Sequence, residues 1–463
     1  MMRRHFVMAL MLALGACTTA VPPLATTPPP SSLGPFGQAV GANVEPAPLP
    51  SEWWRLFDDP ALDGHIARAL AVNTDIRVAL ANLEAARATF RQARAAIIPV
   101  AGIESGAGPD RADRQPSTSN VPKTSYELGA TFAYEVDLFG RLRAATSAAK
   151  ADTAARAAAL DAARVMVAAD TAAAYINICG ANAAIKLAQA QIATHEQSVA
   201  LVARRVARGS VSSLELAQSK ALLERTRATL FPMEADRKRS LFSLAALQGQ
   251  APAEADTLRI GCTAIPIVKA TIPVGDGAAL IARRPDIREA QSRLLAATAR
   301  IGVAAADFYP RISLGGSAGL IGGGFDAILT PLISWSFINQ GAIRAKVAAA
   351  RGGQAAALAS WDAAILRALR EVETVLADYQ AEHRRHAALA LALRESEAAS
   401  SRALVRYQLG ADSFLVALDA ERTRNEAALM LSSSNLRIGQ IQISLFRALG
   451  GGWENGPASA TAS

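Results

Sequence analysis

The sequence predicts a mainly α-helical chain that also carries a small antiparallel membrane sheet, and three observations predict it. Two proline-free stretches of helical spacing, Gly140 to about Ala207 and Arg344 to about Leu409, far exceed ordinary globular helices. Short runs of strict apolar/polar alternation precede each of them. The whole plan also occurs twice in the chain.

The duplication is read from matched residues. Asp75-Ile76-Arg77 recurs as Asp286-Ile287-Arg288, and at the same offset Pro99 meets Pro310, Ala107 meets Ala318 and Gly108 meets Gly319. A shorter offset then pairs Gly140 with Gly341, Arg143 with Arg344, Arg205 with Arg406, Gly209 with Gly410, Ser212 with Ser413, Leu214 with Leu415 and Gly249 with Gly450. One length difference of about ten residues explains the change. It falls on the polar, proline-containing insert Pro109 to Lys123 of the first copy, the kind of insertion exposed loops accept. A unit this long is not a solenoid repeat and points to two structural halves related by pseudo-twofold symmetry.

Each copy reads helix, strand, strand, long helix, return helix. In the first copy, Asp75 to Ala96 has helical spacing, Val100 to Gly108 is a strand, and Tyr126 to Leu138 is a second. There Tyr126, Leu128, Ala130, Phe132, Tyr134, Val136 and Leu138 share one face, and Glu127, Gly129, Thr131, Ala133, Glu135 and Asp137 the other. In the second copy Ile312, Leu314, Ala318 and Leu320 alternate with Arg311, Ser313, Gly315, Ser317 and Gly319. A last strand is expected over about 332–338, where Ile333, Trp335 and Phe337 alternate with Ser334 and Ser336. A sheet with one face on a protein core gives the same alternation. Strands of about ten residues, with Tyr126, Tyr134, Trp335 and Phe337 near their ends, favour a membrane β-barrel. Four strands cannot close one, and an open edge in lipid leaves backbone groups unpaired, so the barrel reading requires several copies of the chain.

The first long helix would be a rod of roughly 100 Å. Each rod ends at a glycine, Gly209 or Gly410, followed by a serine, Ser212 or Ser413, expected to cap the return helix at about 214–247 or 414–449. Such rods require neighbours, and their alanines permit close coiled-coil packing.

At the start, Arg3 and Arg4 precede a short apolar run, Phe6 to Leu14, which reads as a signal segment over 1–16. Leu14-Gly15-Ala16-Cys17 matches a lipobox, so Cys17 is expected to carry a covalent lipid, with Thr18 favouring the outer membrane; an ordinary signal segment with a chance cysteine is the alternative. Residues 17–50, rich in Pro, Ala, Ser and Thr, read as an extended tether. Repeats over 51–260 and 276–450, a linker over 261–275 and a disordered tail over 451–463 complete the expected organisation. Cys179 and Cys262 are either a disulfide, which an oxidising periplasm favours, or two small core residues. The net charge of +8 comes from arginines scattered along helical segments, with no dense basic block, so nucleic acid is not an expected partner.

The chain resembles the TolC-like outer-membrane efflux proteins, in their lipid-anchored NodT-type branch. The resemblance covers nearly everything after the tether. It is carried jointly by Trp53-Trp54 with Phe57, Asp59 and Leu62; Asn73 with Asp75-Ile76; Asp137-Leu138-Phe139-Gly140; Arg283-Arg284-Pro285-Asp286-Ile287; Phe308-Tyr309-Pro310; and the glycine turns with Leu418-Asp419-Ala420. It implies a homotrimer with a shared twelve-stranded barrel and a helical periplasmic tunnel. It further implies docking to a periplasmic adaptor and an inner-membrane transporter, commonly of the resistance–nodulation–division type. The family's constriction aspartates fall on Val416 and Asp419, of which only Asp419 is acidic. A ring of three such carboxylates would repel and attract cations; a solvated helix-surface aspartate is the plainer alternative. The family's closing link falls on Tyr407 and Glu215, a phenol-to-carboxylate bond across protomers; otherwise Tyr407 packs on its own turn. The turns bearing Arg205, Gly209 and Ser212, and Arg406, Gly410 and Ser413, are the expected adaptor contact.

No catalytic constellation, metal site or cofactor is expected. His383 and His386 lie among charged helix residues, and Gly322-Gly323-Gly324 lacks the lysine of a phosphate cradle and reads as a short external turn. The rival reading is a periplasmic adaptor-like coiled-coil lipoprotein without a channel.

Overall fold

The structure is a computed structural model that describes residues 28, 30–40, 43–109, 124–258, 260–321 and 324–453. The signal segment, Cys17, residues 18–27, most of the polar insert (110–123), Gly322, Gly323 and the tail from 454 onward lie outside the described residues. In chain order the elements are β1 (Val44–Glu45), α1 (Pro60–Val72), α2 (Thr74–Ala95), β2 (Val100–Pro109), β3 (Thr124–Val136), α3 (Arg141–Ala207) and α4 (Ser213–Leu247). They continue with β4 (Ile272–Pro273), α5 (Gly277–Arg283), α6 (Pro285–Ala306), β5 (Arg311–Ile321), β6 (Gly324–Ser334), α7 (Gln340–Gln408) and α8 (Phe414–Ala448).

The chain divides into two compact units, and each takes segments from both sequence repeats: 81–159 with 286–364, and 28–80 with 160–285 and 365–463 among the described residues. The division therefore does not follow the expected boundary between 51–260 and 276–450.

The first unit holds a four-stranded antiparallel sheet in the order β2-β3-β5-β6. Its register aligns the alternation of every strand. Phe132 lies opposite Ala101 and Gly316, Leu128 opposite Leu320, Tyr134 opposite Leu314 and Val136 opposite Ile312. On β6, Phe325, Leu329 and Ile333 continue this face opposite Leu320, Gly316 and Ile312. The fourth strand corrects the expectation of 332–338: it runs Gly324–Ser334, and Trp335 and Phe337 follow its end. The strand includes Pro331, which it can do because β6 is a sheet edge, where a missing N–H is tolerated. β3 likewise stops at Val136, and Leu138 belongs to the connection into α3. In that connection Asp137 caps the long helix, its carboxylate accepting from the amides of Leu142 and Arg143 at 3.1 and 2.9 Å. Phe139 stacks on Tyr309 at 4.7 Å, joining two of the sequence motifs.

The second unit buries Trp53, Leu62, Ile66, Tyr175, Ile178 and Phe446. Trp53 stacks on Phe446 at 4.9 Å. Asp59 caps α1 through the amides of Ala61 and Leu62 and accepts from the Tyr175 hydroxyl at 2.9 Å. Asn73 accepts from the amides of Asp75 and Ile76 while donating to the Leu247 carbonyl. Arg284, buried, donates to Glu371 and to the Ala448 carbonyl. These motif residues are thus joints of the fold. Gly180 of α3 leaves room for the Leu436 side chain of α8, whose Cδ1 would lie 2.7 Å from an added Cβ.

Two further expectations change here. Residues 30–50 are not a free tether: Phe36 and Leu49 are buried, β1 pairs with β4 in parallel, and Glu373 accepts from the amides of Gly37 and Gln38. A proline-rich segment with too few apolar residues for its own core still docks when two of them find pockets on another element. The expected linker 261–275 is similarly fastened, with the Gln442 amide bonding both backbone groups of Val268. Within it Cys262 is bonded to Cys179 of α3, with Cα atoms 5.3 Å apart and a sequence separation of 83. By the chain-entropy relation a loop of that length is worth about 4.5 kcal/mol. Cys179→Ser is expected to lower the melting temperature of the detergent-extracted protein clearly. Alkylation of the folded wild type without reductant should find no free thiol at these two positions; two labelled thiols would refute the link.

Candidate gate and docking turns

Two surfaces carry the functional argument, one in each unit. In the first, the apolar face of the sheet is uncovered. Ile103 is 82% exposed, Phe325 75%, Leu329 70% and Ile333 71%, a patch far larger than a water-facing sheet sustains. β2 and β6 are unpaired edges. A sheet with a greasy outer face and two open edges is complete only in lipid and only when other strands pair with those edges. None of the described helices is long and apolar enough to cross a membrane, which bears on helices alone.

In the second unit the two helical turns form one cluster. α3 ends in a pair of backbone bonds, Gly209 N–H to the Val206 carbonyl and Ser210 N–H to the Arg205 carbonyl. α7 ends identically, Gly410 N–H to Tyr407 and Ala411 N–H to Arg406. This is the Schellman arrangement, which needs a left-handed residue; Gly209 and Gly410 supply it at φ 71° and 76°. Ser212 and Ser413 occupy the N-cap positions with extended backbone, but neither side chain makes a capping bond, contrary to expectation. The return helices are held by packing instead: Val202, Ala403, Tyr407, Phe414 and Ala417 form a buried cluster flanked by Val206, Val211 and Leu216.

The polar groups of the turns sort clearly. Arg205 lies over the Tyr407 ring at 4.6 Å and donates to the Gln408 carbonyl, fastening one turn to the other. Arg406 makes a two-bond fork to Asp412, at 2.6 and 2.9 Å, and that bond holds the Asp412 carboxyl below the usual carboxylate range. Tyr407 is buried against Phe414, yet its hydroxyl has no partner. Glu215 Oε2 is also buried and unpartnered. Within one chain these two groups do not bond to each other. Asp419 is exposed and Val416 half-exposed, and neither side chain is held by a neighbour. Asp412 and Phe414 escaped the sequence reading because a six-residue spacing across a turn has no regular period. So did His195, a lone helical histidine whose partners are more than two hundred residues away.

His383 and His386 are engaged otherwise, one ring edge-on to Tyr379 and the other bonded to Asn435. Among the described residues no group of three or more His, Cys, Asp or Glu is placed to hold a metal.

An uncovered membrane sheet with open edges, and paired helical hairpins ending in matched glycine turns, define an outer-membrane channel subunit. Comparison with known proteins makes this specific. The family model described as outer membrane efflux protein matches residues 65–250 and 278–451, and the chain belongs to that family. It is 33% identical to the outer membrane protein OprJ of Pseudomonas aeruginosa over 96% of this chain and 95% of that one. It is 30% identical to the toluene efflux pump outer membrane protein TtgF of Pseudomonas putida, covering 98% of each. Among solved structures it matches the outer-membrane channel OprN, with a TM-score of 0.86 and 32% identity over 92% of this chain and 98% of that one. It also matches the outer membrane protein VceC of Vibrio cholerae, with a TM-score of 0.80 and 27% identity over 88% and 100%.

Proposed function

We propose that the chain is the exit duct of a tripartite efflux pump. Three copies pair β6 of one with β2 of the next to share a closed barrel. The helical turns meet a periplasmic adaptor, which links the duct to an inner-membrane transporter of the resistance–nodulation–division type. The single observation that carries the reading is the apolar face running across all four strands to two unpaired edges. An adaptor-like coiled-coil protein has no use for such a face.

In this reading the duct does no chemistry and holds no cofactor beyond a lipid on Cys17, and the transporter supplies both energy and substrate choice. Small apolar solutes are the class suggested by the toluene efflux pump relative. Turns bearing Arg205, Gly209, Ser212, Arg406, Gly410 and Ser413 take the adaptor. Asp419 and Val416 line the constriction, and Tyr407 bonds Glu215 of a neighbouring copy. Deleting the gene is expected to sensitise cells to part of a panel of organic solvents and antibiotics, with plasmid-borne wild type restoring growth. A deletion strain as resistant as its parent to the whole panel, while expressing no other duct of this family, would overturn the reading.

A further inference from the structure

We propose that His195, Asn425, Arg424 and Glu421 form a proton-operated latch between α3 and α8, which releases the turn end of α8 when the pH falls. The functional consequence rests on the duct reading above; the latch itself rests on the hydrogen-bond geometry. His195 of α3 is 2% exposed and Asn425 of α8 is 8% exposed. Arg424 reaches the Asn425 Oδ1 with Nη2 at 2.8 Å and Nε at 3.3 Å. A guanidinium can only donate, so the amide is fixed with its oxygen toward Arg424 and its NH2 toward His195. Asn425 Nδ2 lies 3.1 Å from His195 Nε2. That nitrogen must therefore be the acceptor, and the ring must be neutral with its proton on Nδ1. Nδ1 faces Glu421 Oε1 at 3.4 Å.

Protonation inverts one contact of this chain. An Nε2–H would meet the Asn425 NH2, donor against donor, and the amide cannot turn without presenting its NH2 to Arg424. The network has one stable protonation state. The charged groups around it on every packed element are few. α8 supplies Glu421 and Arg424, with Arg422 and Glu426 lining the groove beside Asn425; α4 supplies Arg225 in that same groove. α7 supplies Glu397 across a second groove of about 550 Å³ lined also by Thr194 and Ser400. The adjacent Glu196 of α3 is occupied by Arg227. Burial lowers the His195 pKa from its ordinary value, Glu421 opposes that and Arg424 adds to it. The sign follows. A histidine that binds its proton less readily when folded gives a latch that is intact above about pH 6.5 and weakens as the pH falls through the ordinary histidine range. Glu421 lies two residues from Asp419 on the same helix, so a loosened latch frees the segment bearing the proposed constriction residues.

The test is hydrogen exchange of residues 414–428 in the assembled wild-type protein, corrected for the intrinsic pH dependence of exchange, between about pH 7.5 and about pH 5. Protection should fall about tenfold, the effect of one buried donor left without an acceptor. His195→Gln, which keeps an acceptor facing Asn425 and does not titrate, should hold protection constant. Asn425→Asp offers the protonated ring a carboxylate, so protonation then tightens the contact, and protection should hold or rise as the pH falls. A flat wild-type response, a His195→Gln variant that responds like wild type, or an Asn425→Asp variant that loses protection on acidification as wild type does would each overturn the latch. Should His195→Gln fail to assemble, the sign of the Asn425→Asp response decides alone. Channel conductance recorded over the same pH range separates the two readings: a protein that never conducts defeats the duct and leaves the exchange result to judge the latch.

Discussion

Gly410→Val is expected to abolish export while leaving the assembled protein intact. Gly410 holds φ 76° inside the two-bond end of α7, and an added Cβ there meets nothing within 4 Å. The substitution therefore introduces no clash with a neighbour and acts only through backbone strain. A left-handed conformation costs an ordinary L-residue about 1–2 kcal/mol, and a β-branched one more. The chain escapes that cost by rebuilding the turn, which displaces Arg406, Asp412 and Phe414. Gly410→Asn separates strain from bulk, because asparagine tolerates this region, and it should export nearly as well as wild type. The same pair of substitutions at Gly209, φ 71° with equally open space, should behave alike. Drug-susceptibility assays beside a heat-modifiability gel read both effects. A Val variant that exports normally would remove the turns from the docking surface, and a Val variant that no longer assembles would make them elements of folding.

The second large effect is expected from Tyr407→Phe combined with Glu215→Ala. Each removes a polar atom that is buried and unpartnered in a single chain. An orphaned buried polar group costs about 1–3 kcal/mol, and two of them on the paired turns are tolerable when a neighbouring copy satisfies them. Phenylalanine keeps the ring under Arg205 and against Phe414, so the cluster within the chain survives. The double variant should then show a several-fold higher conductance in planar bilayers than wild type, at equal assembly. Unchanged conductance would mean that these groups do not hold the duct closed.

The legible parts of the fold were those with a period. β3 was plain because its large apolar residues share every second position and nothing larger than Ala133 interrupts the other face with an apolar group. β6 was not, because Ile328 and Leu332 stand on the face opposite Phe325, Leu329 and Ile333, which hides the alternation. The first long helix was found nearly to the residue, and the second begins at Gln340, four residues before the expected Arg344; both end where expected, at the glycine turns. Contacts between distant segments had no sequence signal. Phe36 and Leu49 look like stray apolar residues in a tether until a pocket is present to receive them. Ser212 and Ser413 carried the residue type of a helix cap without its bond. At the turns, glycine was readable because a left-handed residue has one good side chain. The Arg205–Tyr407 stack and the His195 network were not, since each joins α3 to the second repeat by geometry alone.

The claim on which everything else stands is that four strands per chain are completed by other copies. Native mass spectrometry of the protein, gently extracted from outer membranes in detergent, tests it most directly. The expected result is a single species of three chains that falls to one chain only after boiling. A stable, folded single chain that fractionates with the outer membrane would contradict it, because the edges of β2 and β6 would then have to be satisfied in some other way.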